Sequence, residues 1–216
     1  MKLNTDIASY YARRAESYEQ IYDKPERQDD LARVREWLRA TLSGHKVLEL
    51  ACGTGYWTAE AAECVESIYA TDINPPVIAL AEAKQLPPEK VTFALADAFT
   101  VATTQSFSAC LAAFWWSHVL REQQAGFMTR LRQQLGKDGL VAMIDSVYVE
   151  GSSTSIARTD LQGNTFQIRT LPDGERYEIL KNFPSDSGLR KRLGPYLKDI
   201  RIQRLEHYWM LSGRLK

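Results

Sequence analysis

The sequence predicts a doubly wound α/β fold. It has a mostly parallel seven-stranded sheet with helices on both faces, an antiparallel closing strand and an inserted β-hairpin. Three observations predict it. Short apolar runs alternate five times with helical segments between residues 46 and 147, and that alternation builds a parallel sheet. The first run, 46–51, leads into a glycine-containing turn, as a buried parallel strand does. After Val149 the pattern gives way to hairpin chemistry.

Each element follows from local chemistry. In residues 5–22, Ile7, Tyr11, Arg14, Tyr18 and Ile21 recur at spacings of three and four and share one helical face. Pro25 suits the first turn of a second helix, which carries Leu31, Val34 and Leu38 and stops at Gly44. A strand over 46–51 precedes an alanine-rich helix over 58–65. A strand over 67–71 ends at Asp72; Pro75 and Pro76 then open a helix that Pro87 and Pro88 close. Strands follow over 91–95, ending at Asp97, and over 107–114. A helix over 119–135 closes at Gly136, and the fifth strand spans 140–147.

Residues 151–159 read as a polar loop. Runs at 165–170 and 175–181 flank Leu171, Pro172, Asp173 and Gly174, a hairpin signal. Residues 185–197 read as a short helix. Residues 199–205 and 208–215 read as two closing strands, antiparallel because their connection is so short. The expected organisation is one domain over 1–216. It comprises an N-terminal helical cap (1–43), a ligand-binding core (44–149), an inserted hairpin (150–183), and a C-terminal helix with closing strands (184–216).

Composition narrows the class. A chain of 216 residues buries roughly 70% of its unfolded surface, so it needs no disulfide staples. The hydrophobic share of 44% and charged share of 25% exclude disordered and low-complexity classes. Twenty-seven basic residues balance 27 acidic ones, so no global basic field exists for a nucleic-acid backbone. Cys52, Cys64 and Cys110 form no CxxC pair and read as reduced thiols, with no metal site. The N-terminus lacks an apolar signal core, and no run of 18 apolar residues exists. The expectation is a cytoplasmic protein that is not membrane-bound, as monomer or homodimer.

In such a sheet ligands bind outside the carboxyl ends of the strands. Those ends carry Glu49 to Gly55, then Asp72, then Asp97 and Ala98, then Phe114, Trp115 and Trp116. A glycine turn lets a ligand approach the backbone, and a carboxylate at the second strand's end suits the two hydroxyls of a ribose. The GxGxxG dinucleotide template aligns on Ala51, Gly53 and Tyr56, and a tyrosine at the third position fits it poorly. The pattern acidic-x-Gly-x-Gly-x-Gly fits better, as Glu49, Ala51, Gly53 and Gly55.

The stretches VLELACGTG (47–55), ATDIN (70–74), ALADAF (94–99) and LGKDGLVAMID (135–145) resemble the class I S-adenosylmethionine-dependent methyltransferases of small-molecule type. The resemblance covers residues 44–147 and implies a Rossmann-like fold. It also implies methyl transfer to an O, N or S atom, with S-adenosylmethionine as cofactor and S-adenosylhomocysteine as product. It places Glu49, Ala51, Gly53 and Gly55 at the cofactor's amino-acid end. Asp72 falls on the ribose, Ile73, Asp97 and Ala98 on the adenine, and Phe114 beside the sulfonium. Ala51 departs from the usual first glycine, and its methyl group is tolerable there if the backbone is not left-handed. The motif carrying Tyr11, Arg14 and Tyr18 is similar to the helix that covers the cofactor in many such enzymes.

Two residues read as candidate proton acceptors. His118 has an imidazole suited to proton transfer near neutral pH, and Asp145 ends the fifth strand. Trp57, Trp115 and Trp116 are candidates to face a planar or cationic substrate. Asn74, Pro75, Pro76 and Val77 follow the second strand rather than the fourth and end without an aromatic residue. They differ from the motif of nucleic-acid amino methyltransferases, which argues for a small-molecule substrate. His45 and His207 lie away from the expected strand ends. The inserted hairpin leaves the rim that carries the cofactor. Arg169, Arg176 and Tyr177 are expected there to meet an anionic or hydroxylated group, with dimer-edge pairing as the other role. The competing functions are a protein or RNA methyltransferase and a non-catalytic scaffold.

Overall fold

The computed structural model describes residues 3–216. Its elements, in chain order, begin with α1 (Ile7–Arg14), a 3-10 segment (Ala15–Tyr22) and α2 (Gln28–Leu42). Next come β1 (Lys46–Leu50), α3 (Tyr56–Ala62), β2 (Ser67–Asp72), α4 (Pro75–Glu82), β3 (Val91–Leu95) and β4 (Ala109–Ala113). They are followed by α5 (Gln124–Leu135), β5 (Leu140–Ser146), β6 (Ile156–Thr159), β7 (Thr165–Thr170) and β8 (Arg176–Leu180). The chain closes with α6 (Asp186–Leu193), β9 (Leu197–Arg204) and β10 (Tyr208–Leu215).

Seven strands form one sheet in the order β3-β2-β1-β4-β5-β10-β9. The first five run parallel, and β10 is antiparallel to both β5 and β9. The order reverses between β1 and β4, and this places the ligand crevice beyond the carboxyl end of β1. Successive strand residues face opposite sides. Val47, Leu111 and Ile144 pack with α2 and α3 on one face. Leu48, Cys110 and Met143 pack with α5 and α6 on the other. No helix among the described residues is long and apolar enough to cross a membrane.

The insertion forms a separate antiparallel sheet, β6-β7-β8. Residues 151–159, expected as a loop, contain β6. All four of its residues are exposed, so no alternation marks it in the sequence. Arg158 stacks on Phe166, its guanidinium carbon 3.7 Å from the ring centroid, and pairs with Glu178 at 2.6 Å. This small sheet docks on α1 through Tyr10, Leu171, Tyr177 and Ile179.

Several helices are shorter than expected; that over 185–197 ends at Leu193, and Leu197 already opens β9. The helix over 5–22 becomes α1 followed by 3-10 winding. That winding has three residues per turn, so it stacks Tyr18 above Ile21 against the core. The helix over 119–135 starts only at Gln124. Upstream, hairpin side chains claim the backbone. Asn182 donates to the Val119 carbonyl at 3.3 Å, and Arg121 N–H donates to Asn164 at 2.9 Å.

Candidate active site

The turn after β1 is shaped by left-handed residues. Gly53 has φ +57 with open space where a Cβ would sit, and its N–H donates to Asp72 Oδ2 at 2.9 Å. Asn74 N–H donates to Asp72 Oδ1 at 2.9 Å. Each carboxylate oxygen keeps a lone pair for a ligand. Burial pushes the Asp72 pKa up, opposed by these N–H bonds. Ala51 does not meet the condition set for its methyl group: it is left-handed, with φ +54, a strained conformation for a residue with a Cβ. Gly55 is also reassigned. A Cβ there would lie 3.0 Å from that of Ala81, so this glycine serves the packing of α3 on α4.

Above this turn lies a cavity of about 280 Å³, lined by Glu49, Ala51, Gly53, Asp72, Ile73, Asp97, Ala98 and Phe114 among others. Most of the residues expected at the cofactor therefore line one cavity. Glu49 is buried at the end of β1 and accepts from Thr58 Oγ1 at 2.7 Å. Burial pushes its pKa up to about 8, against the hydrogen bond from Thr58. Asp97 Oδ1 accepts from Phe99 N–H at 2.7 Å. Ile73 stays 54% exposed and offers an apolar face at the cavity edge.

A second cavity, of about 580 Å³, lies between the N-terminal segment, β7 and the loop after β5. Tyr11, Tyr18, Tyr22, Phe114 and His118 line both cavities. Phe114 holds a left-handed backbone, φ +59. For a bulky residue this is an outlier, and such strain concentrates at functional sites.

His118 sits at that junction with both ring nitrogens engaged. Nδ1 lies 2.6 Å from the Leu180 carbonyl. A carbonyl only accepts, so Nδ1 carries the proton. Nε2 is therefore the acceptor toward the Tyr11 hydroxyl, 3.0 Å away. Burial drives the His118 pKa well below its usual value, helped by the charges of Lys181 and Arg169. The imidazole is neutral at pH 7.

Several expected site residues lie elsewhere. Asp145 is fully buried and lines neither cavity. Its oxygens accept from Ser117 N–H and Oγ, Ser146 N–H and Lys181 Nζ, so it is a structural anchor. Trp116 packs in the core against Phe127. Trp115 and Trp57 line the first cavity, not the second. Arg14, expected over the cofactor, lines the second cavity. Tyr177 is buried against α1, and its hydroxyl accepts from Arg13 at 3.1 Å. Arg176 is exposed and lines neither cavity.

Other lining residues escaped the sequence reading. They include Lys24, Arg27, Gln167, Lys181 and His207. Asp72 and Gly53 follow from the apolar runs that end at or before them, whereas His207 follows no such run. An antiparallel strand begins where its parallel neighbour ends, so the turn before β10 returns to the same rim. The signal was present in the short link between the two closing strands.

Comparison with known proteins agrees with this geometry. A family model described as a methyltransferase domain matches residues 47–139. An uncharacterized methyltransferase of Bacillus licheniformis is 28% identical over 141 residues, 64% of this chain. The chain spans 65% of that relative's length. The solved DhpI complex with S-adenosylhomocysteine is 27% identical, covers 96% of this chain and 94% of that one, and has a TM-score of 0.80. A DhpI complex with S-adenosylmethionine and HEP has a TM-score of 0.77. A 1,6-didemethyltoxoflavin-N1-methyltransferase of Burkholderia thailandensis shares the fold at 15% identity and TM-score 0.65, covering 97% of this chain and 87% of its own. Both DhpI structures hold S-adenosylmethionine or S-adenosylhomocysteine. A glycine turn under a cavity with a paired carboxylate, on this sheet order, agrees with the methyltransferase-domain match over residues 47–139, and these likenesses support a class I S-adenosylmethionine-dependent methyltransferase.

Proposed function

We propose that the enzyme transfers the methyl group of S-adenosylmethionine to a small-molecule acceptor seated in the larger cavity. The observation that carries this reading is the shared wall of Tyr11, Tyr18, Tyr22, Phe114 and His118 between the two cavities. A volume of about 580 Å³ is that of a small-molecule site.

The residues present fit the cofactor. Open space at Gly53 lets a ligand reach the backbone, Asp72 has lone pairs for ribose hydroxyls, and Ile73 offers an apolar edge for adenine. Ala98 and Asp97 border the same edge, while Glu49 and Ala51 lie toward the amino-acid end. S-adenosylmethionine, when bound, supplies an electrophilic sulfonium methyl group. The protein's main contribution is to hold the acceptor in line, and positioning of this kind lowers a displacement barrier by about 7–11 kcal/mol. Where the acceptor carries a proton, Tyr11 and His118 provide its path. The Tyr11 oxygen takes the acceptor's proton while the phenol proton moves to His118 Nε2.

The test is to incubate enzyme and S-adenosylmethionine with fractionated metabolites, protein and RNA, and to measure S-adenosylhomocysteine by mass spectrometry. Product formed only with the small-molecule fraction is expected. Product formed only with protein or RNA would replace the acceptor class.

A further inference from the structure

We propose that the larger cavity is an oxyanion site and that the acceptor is a small acid bearing a carboxylate, phosphate or phosphonate group. This rests on the methyl-transfer reading of the same site. Arg14, Lys24, Arg27, Arg169 and Lys181 line the cavity, and no Asp or Glu lines it.

Two of these cations are partly accounted for. Lys181 is neutralised by Asp145 at 2.8 Å, and Lys24 has Glu26 at 3.9 Å. The three guanidiniums have no carboxylate partner among the described residues. Arg14 donates to the Tyr10 hydroxyl at 3.3 Å. Arg27 donates to Ser152 Oγ at 3.0 Å, and its Nε is buried without a partner. Arg169 donates to Gln167 Oε1 at 2.8 Å and to the Tyr11 hydroxyl at 3.3 Å. His118 is neutral, and His207 is held by Asp30.

Charges withdrawn from water are normally paired, because leaving them unpaired is costly. Three arginines around one space, without a carboxylate, leave that pairing to a ligand. A planar guanidinium fork matches carboxylate and phosphate oxygens in a bidentate manner. Arg169 also places this charge beside the reaction. Its guanidinium touches Tyr11, and Tyr11 touches His118, both on the wall shared with the cofactor cavity. A hydroxylated but neutral acceptor would leave all three cations without a counter-charge.

Calorimetry on the enzyme saturated with S-adenosylhomocysteine tests this, using methylphosphonate and propionate as probes, with propanol and propylammonium as controls. The anions alone are expected to bind, and each of Arg169→Gln and Arg27→Gln is expected to weaken them by about tenfold or more, the worth of one charge-assisted hydrogen bond. Both variants are expected to retain S-adenosylhomocysteine binding, which reports that they fold. Propanol or propylammonium binding as well as the anions overturns the oxyanion site. Anion affinity indifferent to both substitutions, or no anion binding at all, does the same. In each of these cases retained S-adenosylhomocysteine binding leaves the methyl-transfer reading standing. A wild-type enzyme that binds no S-adenosylhomocysteine overturns that reading instead.

Discussion

Lys181 Nζ lies 2.8 Å from Asp145 Oδ1, with both side chains buried. The pair joins the end of the hairpin strand β8 to the end of β5, the rim where both cavities open. Ser117 completes it, accepting from Lys181 at 2.7 Å and donating to Asp145 at 3.0 Å. Asp145→Ala would strand a buried ammonium, a loss of about 3–5 kcal/mol. Urea denaturation is expected to show that loss. Replacing both partners, as Asp145→Leu with Lys181→Met, should recover much of it. A double variant no more stable than Asp145→Ala would mean that the carboxylate acts through Ser117 and Ser146 alone.

This pair also marks what was legible in the sequence. Asp72, Gly53 and Asp97 announce themselves because a short apolar run ends at or just before each of them, where a parallel strand gives way to its loop. Asp145 was visible by the same rule, as a strand-end carboxylate. Its partner was not, because Lys181 lies 36 positions away on an inserted strand and no local pattern ties the two. Proximity to a strand end therefore located Asp145 correctly and misassigned its work. Arg14 illustrates the converse. It lines one cavity with Tyr11 and Tyr18, but the helix expected to carry all three ends at Arg14, and the inserted sheet adds a second cavity on that side that the guanidinium lines.

Asp72 holds the turn together and faces the cofactor cavity at once. Asp72→Asn replaces one carboxylate oxygen with a donor and removes the charge. S-adenosylhomocysteine is expected to bind at least tenfold more weakly, since a hydrogen bond to a charged group contributes about 1.5–3 kcal/mol. Unchanged affinity in calorimetry would remove Asp72 from the ribose.

Glu49, which lines the smaller cavity, is expected to make cofactor binding pH-dependent. With a pKa of about 8 in the free protein, its carboxyl is protonated at pH 7. A cationic ligand in the cavity that Glu49 lines stabilises the carboxylate and lowers that pKa in the complex. The complex then holds fewer protons, so affinity rises with pH up to about 8 and levels off above it, by roughly tenfold per pH unit at most. Calorimetry in buffers of different ionisation enthalpy is expected to show proton release at pH 7. Glu49→Gln should abolish it. A release that persists in the variant assigns the proton to another group.

Ala51 carries strain that a glycine would relieve. The left-handed backbone costs a residue with a Cβ about 1–2 kcal/mol, partly offset by the greater freedom glycine gives the unfolded chain. Ala51→Gly is expected to stabilise by about 1 kcal/mol, a rise in Tm of roughly 2–4 °C for a chain of this size. A lower Tm would show that the methyl group contributes packing that outweighs the strain.

The Tyr11–His118 pair separates two kinds of acceptor chemistry. Burial holds His118 neutral until the pH falls well below 6.5, while the unfolded chain protonates it near that value. The folded state therefore binds fewer protons in this window. Its stability from His118 is fully present above pH 6.5 and falls as the pH drops toward the folded pKa. Turnover should follow the same sign, flat on the acid side near neutrality and lost only at lower pH. If the acceptor gives up a proton, Tyr11→Phe and His118→Gln should each lower kcat by about 10²–10⁴. An acceptor already ionised by its own acidity needs no such path. In that case both variants should change kcat by less than about tenfold, well short of the roughly 10²-fold minimum for a lost general base, while KM rises through misplacement of Arg169. Measuring kcat and KM separately across pH distinguishes the two. Equal large losses in kcat with KM unchanged would make proton transfer, rather than positioning, the work of this wall.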